Sequence, residues 1–74
     1  MRTEKSAKMK NKIKIARAEA GVTQQQLAEA VGVSRQTIIS IERGHFQPST
    51  PLALKMARFF STSVESLFEL EDTD

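Results

Sequence analysis

Arg35 and Gln36 stand side by side, and Ser40 follows one helical turn after Gln36. An arginine guanidinium matches O6 and N7 of guanine, and a glutamine amide matches N6 and N7 of adenine, each through two bonds at once. On the same outward side, Ile39 meets a thymine methyl or lies against a groove wall. Thr37 bonds a phosphate or touches a thymine methyl, and Ser40 reaches a base or a phosphate. The same residues also read as the polar surface of an interaction module, so their meaning depends on the frame that presents them. Other chemistry finds little support. Cysteine is absent and His45 is the only histidine, which leaves no thiolate or histidine cluster for a metal. No paired carboxylates occupy an apolar setting, so neither an enzyme nor a cofactor is expected.

The frame is the stretch 24–43, which reads as two short helices joined at Gly32, where glycine enters the left-handed region without steric cost. Leu27, Ala28 and Val31 fall at i, i+1 and i+4, one face of the first helix, and Ile38 and Ile41 share a face of the second. Val33 closes the corner, and the small Ala28 lets the helices cross closely. The opposite face of the second helix carries Arg35, Gln36, Ile39, Ser40 and Arg43. Thr23 and Gln26 form a capping-box pattern, and Ser34 caps the second helix. Arg35 and Gln36 therefore occupy its first turn, the end that enters the major groove when such a helix binds DNA. Gln24 stands at the positive end of the first helix, where free N–H groups suit a phosphate. Two helices crossing over a tight turn, the second polar outside, make a helix-turn-helix.

The rest of the chain packs around this pair. A helix over 11–20 places Ile13, Ala16, Arg17 and Ala20 on one stripe, so Arg17 faces inward. A buried guanidinium needs a carboxylate, and Glu42 is its expected mate. Ile15 falls off this stripe. Gly44 ends the second helix, and Arg43 with the loop residues His45 and Gln47 would run beside a phosphate backbone, although a lone loop histidine such as His45 is more often solvated and at most a phosphate donor. Phe46 packs on the domain edge or against a sugar. Ser49 or Thr50 caps a fourth helix with Pro51 in its first turn. Ala53, Met56, Ala57 and Phe60 give it a core stripe, while Leu52 and Phe59 lie on a neighbouring face. Ser63 caps a short fifth helix through Phe68, and Val64, Leu67 and Phe68 close the core.

Taken in one register, Arg17, Gly21, Thr23-Gln24, Leu27-Ala28, Val31-Gly32-Val33-Ser34, Ile38, Ile41-Glu42-Arg43-Gly44 and Pro48-Ser49 resemble the Cro/phage-repressor (Xre-type) helix-turn-helix family. The likeness runs from about Asn11 to Phe68. It implies an all-α fold, a five-helix lambda-repressor-like domain with helices 2 and 3 as the helix-turn-helix. It implies that Arg17 and Glu42 form a structural ion pair and that Gln24 contacts a phosphate while bracing the recognition helix. Relatives in that family also use their C-terminal part to dimerise. A dimer patch of Leu52, Phe59, Leu67 and Leu70 is expected on that ground, the alternative being a frayed tail.

Charge adds a second line of argument. Over residues 1–64 all eleven Lys and Arg face four Glu, a net of +7, whereas the last ten residues carry five acids and no base, a net of −5. A basic body favours an anionic partner such as nucleic acid, and a charged solvated surface is the plainer reading. Residues 1–10 read as a basic arm, either groove-reaching or merely solubilising, 11–68 as the domain, and 69–74 as an acidic tail repelled from DNA. Hydrophobic content of 39% and charged content of 27% fit a globular chain. No apolar run approaches the ~20 residues of a membrane span, and no signal peptide is read at the start. The expectation is a double-stranded DNA binder, a homodimeric regulator acting in the cytoplasm at the nucleoid. The alternative is an interaction module such as the antitoxin of a toxin–antitoxin pair.

Overall fold

Four of the five helices begin at a hydroxyl side chain. Thr23, Ser34, Ser49 and Ser63 adopt extended backbone, and each accepts a hydrogen bond from the N–H three residues on, which satisfies one of the free donors of a first turn. At Thr23 the exchange is reciprocal: Gln26 N–H donates to Thr23 Oγ1 at 3.0 Å, and Thr23 N–H donates to Gln26 Oε1 at 2.9 Å. The structure, a computed structural model, describes residues 9–70. Its elements are β1 (Met9–Asn11), α1 (Ile13–Ala20), α2 (Gln24–Val31), α3 (Arg35–Glu42), α4 (Thr50–Phe59), α5 (Val64–Leu67) and β2 (Phe68–Leu70). Most of the expected arm and tail, residues 1–8 and 71–74, lies outside the described residues.

The helices enclose one core built from Ile13, Leu27, Ala28, Val31, Ile38, Ile41, Leu52, Ala53, Met56, Ala57, Leu67 and Phe68. All five helices contribute to it, which makes this the expected all-α, five-helix fold with α2 and α3 as the helix-turn-helix. Gly32 turns the corner between them at φ +80°, and Val33 packs half-buried against the core.

Four features depart from the sequence reading. The stripe of α4 is buried at Ala53, Met56 and Ala57 as expected, but Leu52 joins it, and Phe60, at the helix end, is only half-buried. Leu52 and Leu67, expected in a dimer patch, are 8% and 3% exposed and belong to the core. Their apolar surface is spent inside the domain, whereas Phe59 and Leu70 remain open at 39% and 67%. Ala20 is exposed rather than part of the inner stripe of α1. Finally, α5 stops at Leu67, and the chain continues as β2, paired antiparallel with β1 in the register Met9–Leu70, Lys10–Glu69 and Asn11–Phe68. This small sheet takes Met9 and Lys10 from the expected arm and Glu69 and Leu70 from the expected tail. It sets Lys10 and Glu69 opposite one another, an unlike-charge pairing that favours the register.

The ion pair that anchors the recognition helix is present. Arg17 Nε donates to Glu42 Oε2 at 2.6 Å and Nη2 to Oε1 at 3.3 Å, while Nη1 donates to the Val22 carbonyl at 3.0 Å. Gln24 Nε2 adds a bond to Glu42 Oε1 at 3.0 Å. The side chains of Arg17 and Glu42 are only 14% and 7% exposed. One carboxylate on α3 thus collects donors from α1 and from the start of α2.

The end of α4 carries a strained residue. Thr62 N–H bonds the Ala57 carbonyl and Ser61 N–H that of Arg58, at 2.9 and 3.1 Å, a closure that demands left-handed backbone at Ser61. Ser61 adopts φ +56° and is the one non-glycine residue with positive φ among the described residues.

Two stability measurements check these readings. Glu42→Ala leaves the Arg17 guanidinium and the Gln24 amide without their shared acceptor and should cost about 3 kcal/mol in denaturant unfolding. An unchanged midpoint would mean that water replaces the carboxylate at no cost. Ser61→Gly relieves the left-handed strain and should stabilise by about 0.5–1 kcal/mol, a rise of a few degrees in Tm.

Candidate nucleic-acid interface

α3 is eight residues long, and its composition is a weak helix former, with three β-branched isoleucines, a threonine and a serine. Packing and end contacts hold it instead. At its start Ser34 Oγ accepts from Thr37 N–H at 3.1 Å. At its end, besides the Glu42 network, Asn11 Nδ2 donates to the Ile41 carbonyl at 2.8 Å, which also accepts Gly44 N–H at 2.9 Å. Asn11 Oδ1 in turn accepts from Ile13 N–H at 3.2 Å. One asparagine therefore joins β1, the first turn of α1 and the last turn of α3. The sequence reading placed Asn11 inside the first helix and missed this link. The available signal was an asparagine two residues before the first buried position, where its side chain competes for backbone groups.

With Ile38 and Ile41 buried, the outward face of α3 is determined. Arg35 and Gln36 are exposed on the first turn, and Ile39 and Ser40 are half-buried beside them. Arg43 is exposed at the other end. The structure therefore places the four expected base-reading residues, Arg35, Gln36, Ile39 and Ser40, on one outward face with Arg43 at its far end. Thr37 differs: it is half-buried, and its hydroxyl lies 3.0 Å from Ser34 Oγ, so it is engaged in closing the helix start. Gln24 is also half-buried and its amide nitrogen is committed to Glu42. Its bracing contact is thus seen directly, and the donor left for an anion at this place is the backbone N–H at the start of α2.

The loop that follows α3 is exposed at His45, Phe46 and Gln47. His45 N–H bonds the Ser40 carbonyl at 2.9 Å, which folds the loop back over the last turn of α3. Electrostatics favour an anion on this side. Neither α2 nor α3 has an acidic residue in its first turn, so the positive ends of both helix dipoles are unopposed. Arg35 and Arg43 add two charges, and Glu42, next to Arg43 in sequence, is paired with Arg17. Among the described residues no group of three or more His, Cys, Asp or Glu is placed to hold a metal ion, and no helix is long and apolar enough to cross a membrane.

Comparison with known proteins agrees with this geometry. The family model described as Helix-turn-helix matches residues 13–67, from the first residue of α1 to the last of α5. A relative from Methanocaldococcus jannaschii, named an uncharacterized HTH-type transcriptional regulator, is 52% identical over 66 residues, covering 89% of this chain and 100% of its own. Another of that description, from Bacillus subtilis, is 50% identical over 64 residues, covering 86% of this chain and 97% of its own. Among solved structures, the restriction-modification controller protein C.AhdI from Aeromonas hydrophila superposes with a TM-score of 0.69 at 25% identity, over 74% of this chain and 83% of that one. The chain belongs to the helix-turn-helix family of DNA-binding transcriptional regulators.

Proposed function

We propose that this chain acts as a homodimer on a palindromic double-stranded operator and regulates transcription there, in the cytoplasm at the nucleoid. The observation that carries the reading is the first turn of α3, where Arg35 and Gln36 stand free in solvent on a helix tied down at both ends. Arg35 reads a guanine and Gln36 an adenine, with Ser40 reaching one turn deeper and Ile39 meeting a thymine methyl. Arg43, His45 and Gln47 hold phosphates along the loop, Thr37 holds one at the helix start, and the N–H of Gln24 does so at the start of α2. A dimer places two such helices in successive major grooves, about 34 Å apart along the duplex. Bound there, it occludes a promoter or recruits at one. Relatives at 52% and 50% identity are named as transcriptional regulators, which favours this reading over an antitoxin-like interaction module.

Selection from a randomised duplex pool at ~150 mM salt, where weak phosphate contacts are screened, should enrich a palindrome with half-sites about 10 base pairs apart. On the best site Arg35→Ala should cost about 1–3 kcal/mol and relax preference at one base pair. An equal loss on random duplex would assign Arg35 to the phosphate backbone instead.

A further inference from the structure

A cleft of about 800 Å³ opens between α1 and the corner where α4 turns into α5, and no residue of α2 or α3 lines it. Its α1 wall is formed by Lys12, Ile15, Ala16, Glu19 and Ala20. Lys12, Ile15 and Glu19 recur at i, i+3 and i+7, which places them on one helical face. All three are exposed, Ile15 at 58%. At about 100° per residue, Ile15 lies across the α1 axis from Arg17, the residue that holds α3. The far wall combines the apolar Phe59, Phe60 and Leu67 with the hydroxyls of Ser61, Thr62 and Ser66, and the Phe59 ring packs edge-on against Phe60 with centroids 5.0 Å apart.

The charges on this face have an order. A cation stands at one end, an isoleucine in the middle and an anion at the other end, the two charges about 10 Å apart along the helix. Such a face is complementary to itself when a second one is laid on it antiparallel. We propose that a second copy of this chain docks here, the two α1 helices crossing antiparallel about a twofold axis near Ile15. Each Lys12 then meets Glu19 of the partner subunit, as an isologous interface requires. Ala16 and Ala20 are small enough for the helices to approach closely, and Ile15 with Phe59 forms the apolar centre. A uniformly acidic or basic partner would meet one like charge on this surface, whereas a second copy meets none. The assignment rests on the dimeric operator reading and names its interface. It also leaves Arg35 and Gln36 uncovered.

Charge reversal tests it. Lys12→Glu and Glu19→Lys each place two like-charge contacts in the twofold interface, and the double variant restores two unlike ones. Both single changes suit the helix dipole, an acid at the start of α1 and a base in its last turn, so folding is retained, as thermal melts would verify. In sedimentation equilibrium of the full chain at ~50 mM salt, where exposed charges are least screened, each single variant should raise the dimer dissociation constant roughly tenfold or more. The double variant should return to within about threefold of the parent. Unchanged single variants, or a double variant that stays dissociated, would overturn this interface while leaving the operator reading intact if the palindrome is still selected. A parent chain that stays monomeric at ~100 μM and selects no paired half-sites would overturn both.

Discussion

The position of the recognition helix depends on one carboxylate. Glu42, the last residue of α3, accepts two bonds from the Arg17 guanidinium and a third from the Gln24 amide. It thereby collects the inner face of α1, the start of α2 and the end of α3 at a single point. Two buried charges contribute little to net stability, because desolvation offsets most of their attraction, and well-packed apolar residues often do as well. What the pair supplies is geometry. A planar guanidinium bound through two nitrogens allows few orientations of its partner, so the last turn of α3 has few places to go. Apolar contacts alone would let α3 roll or slide by a fraction of a turn, and Arg35 and Gln36 would move with it.

The same constraint explains how a short and intrinsically weak helix can serve as a reading head. Eight residues span only about 12 Å, and an isolated helix of that length does not persist in water. Here its apolar side is pinned by Ile38 and Ile41, its start by Ser34, and its end by Glu42 and Asn11. The side chains facing solvent are thus presented on backbone already ordered before any ligand arrives, which reduces the entropy lost on binding. The strain stored in the domain lies elsewhere, at Ser61 after α4.

How much of this was readable in the sequence follows from the range of each interaction. The helices and three of their four hydroxyl caps were readable, because a cap and its target lie three residues apart, and the fourth was narrowed to Ser49 or Thr50. The Arg17–Glu42 contact was also readable, since an arginine on an inward stripe requires an acid. Two things escaped. The β1–β2 pair joins three-residue segments from opposite ends of the described chain, neither long enough to show alternation. In the stripe of α4, Ala53, Met56 and Ala57 were readable, whereas Phe60 falls on the same periodicity but lies where the helix stops. Leu52 was placed on a neighbouring face with Phe59, but it is buried. The double role given to Leu67, core and patch at once, was decided by packing that periodicity cannot reveal. Asn11 was missed for a similar reason, its partner carbonyl lying thirty residues away.

The pairing of Met9 with Leu70 has a topological consequence. Strands in a sheet lie about 5 Å apart, so the described chain enters and leaves the domain at a single seam. The fold is close to a closed ring with one nick in it. Polypeptide joined before β1 and polypeptide joined after β2 depart from the same edge, so a host protein can carry the whole domain as an insertion without stretching it. The ring can equally be sealed at the seam by a short linker and reopened at the exposed Gly44–Gln47 loop, giving a permuted chain in which α4 comes first and α3 last with every helix contact retained.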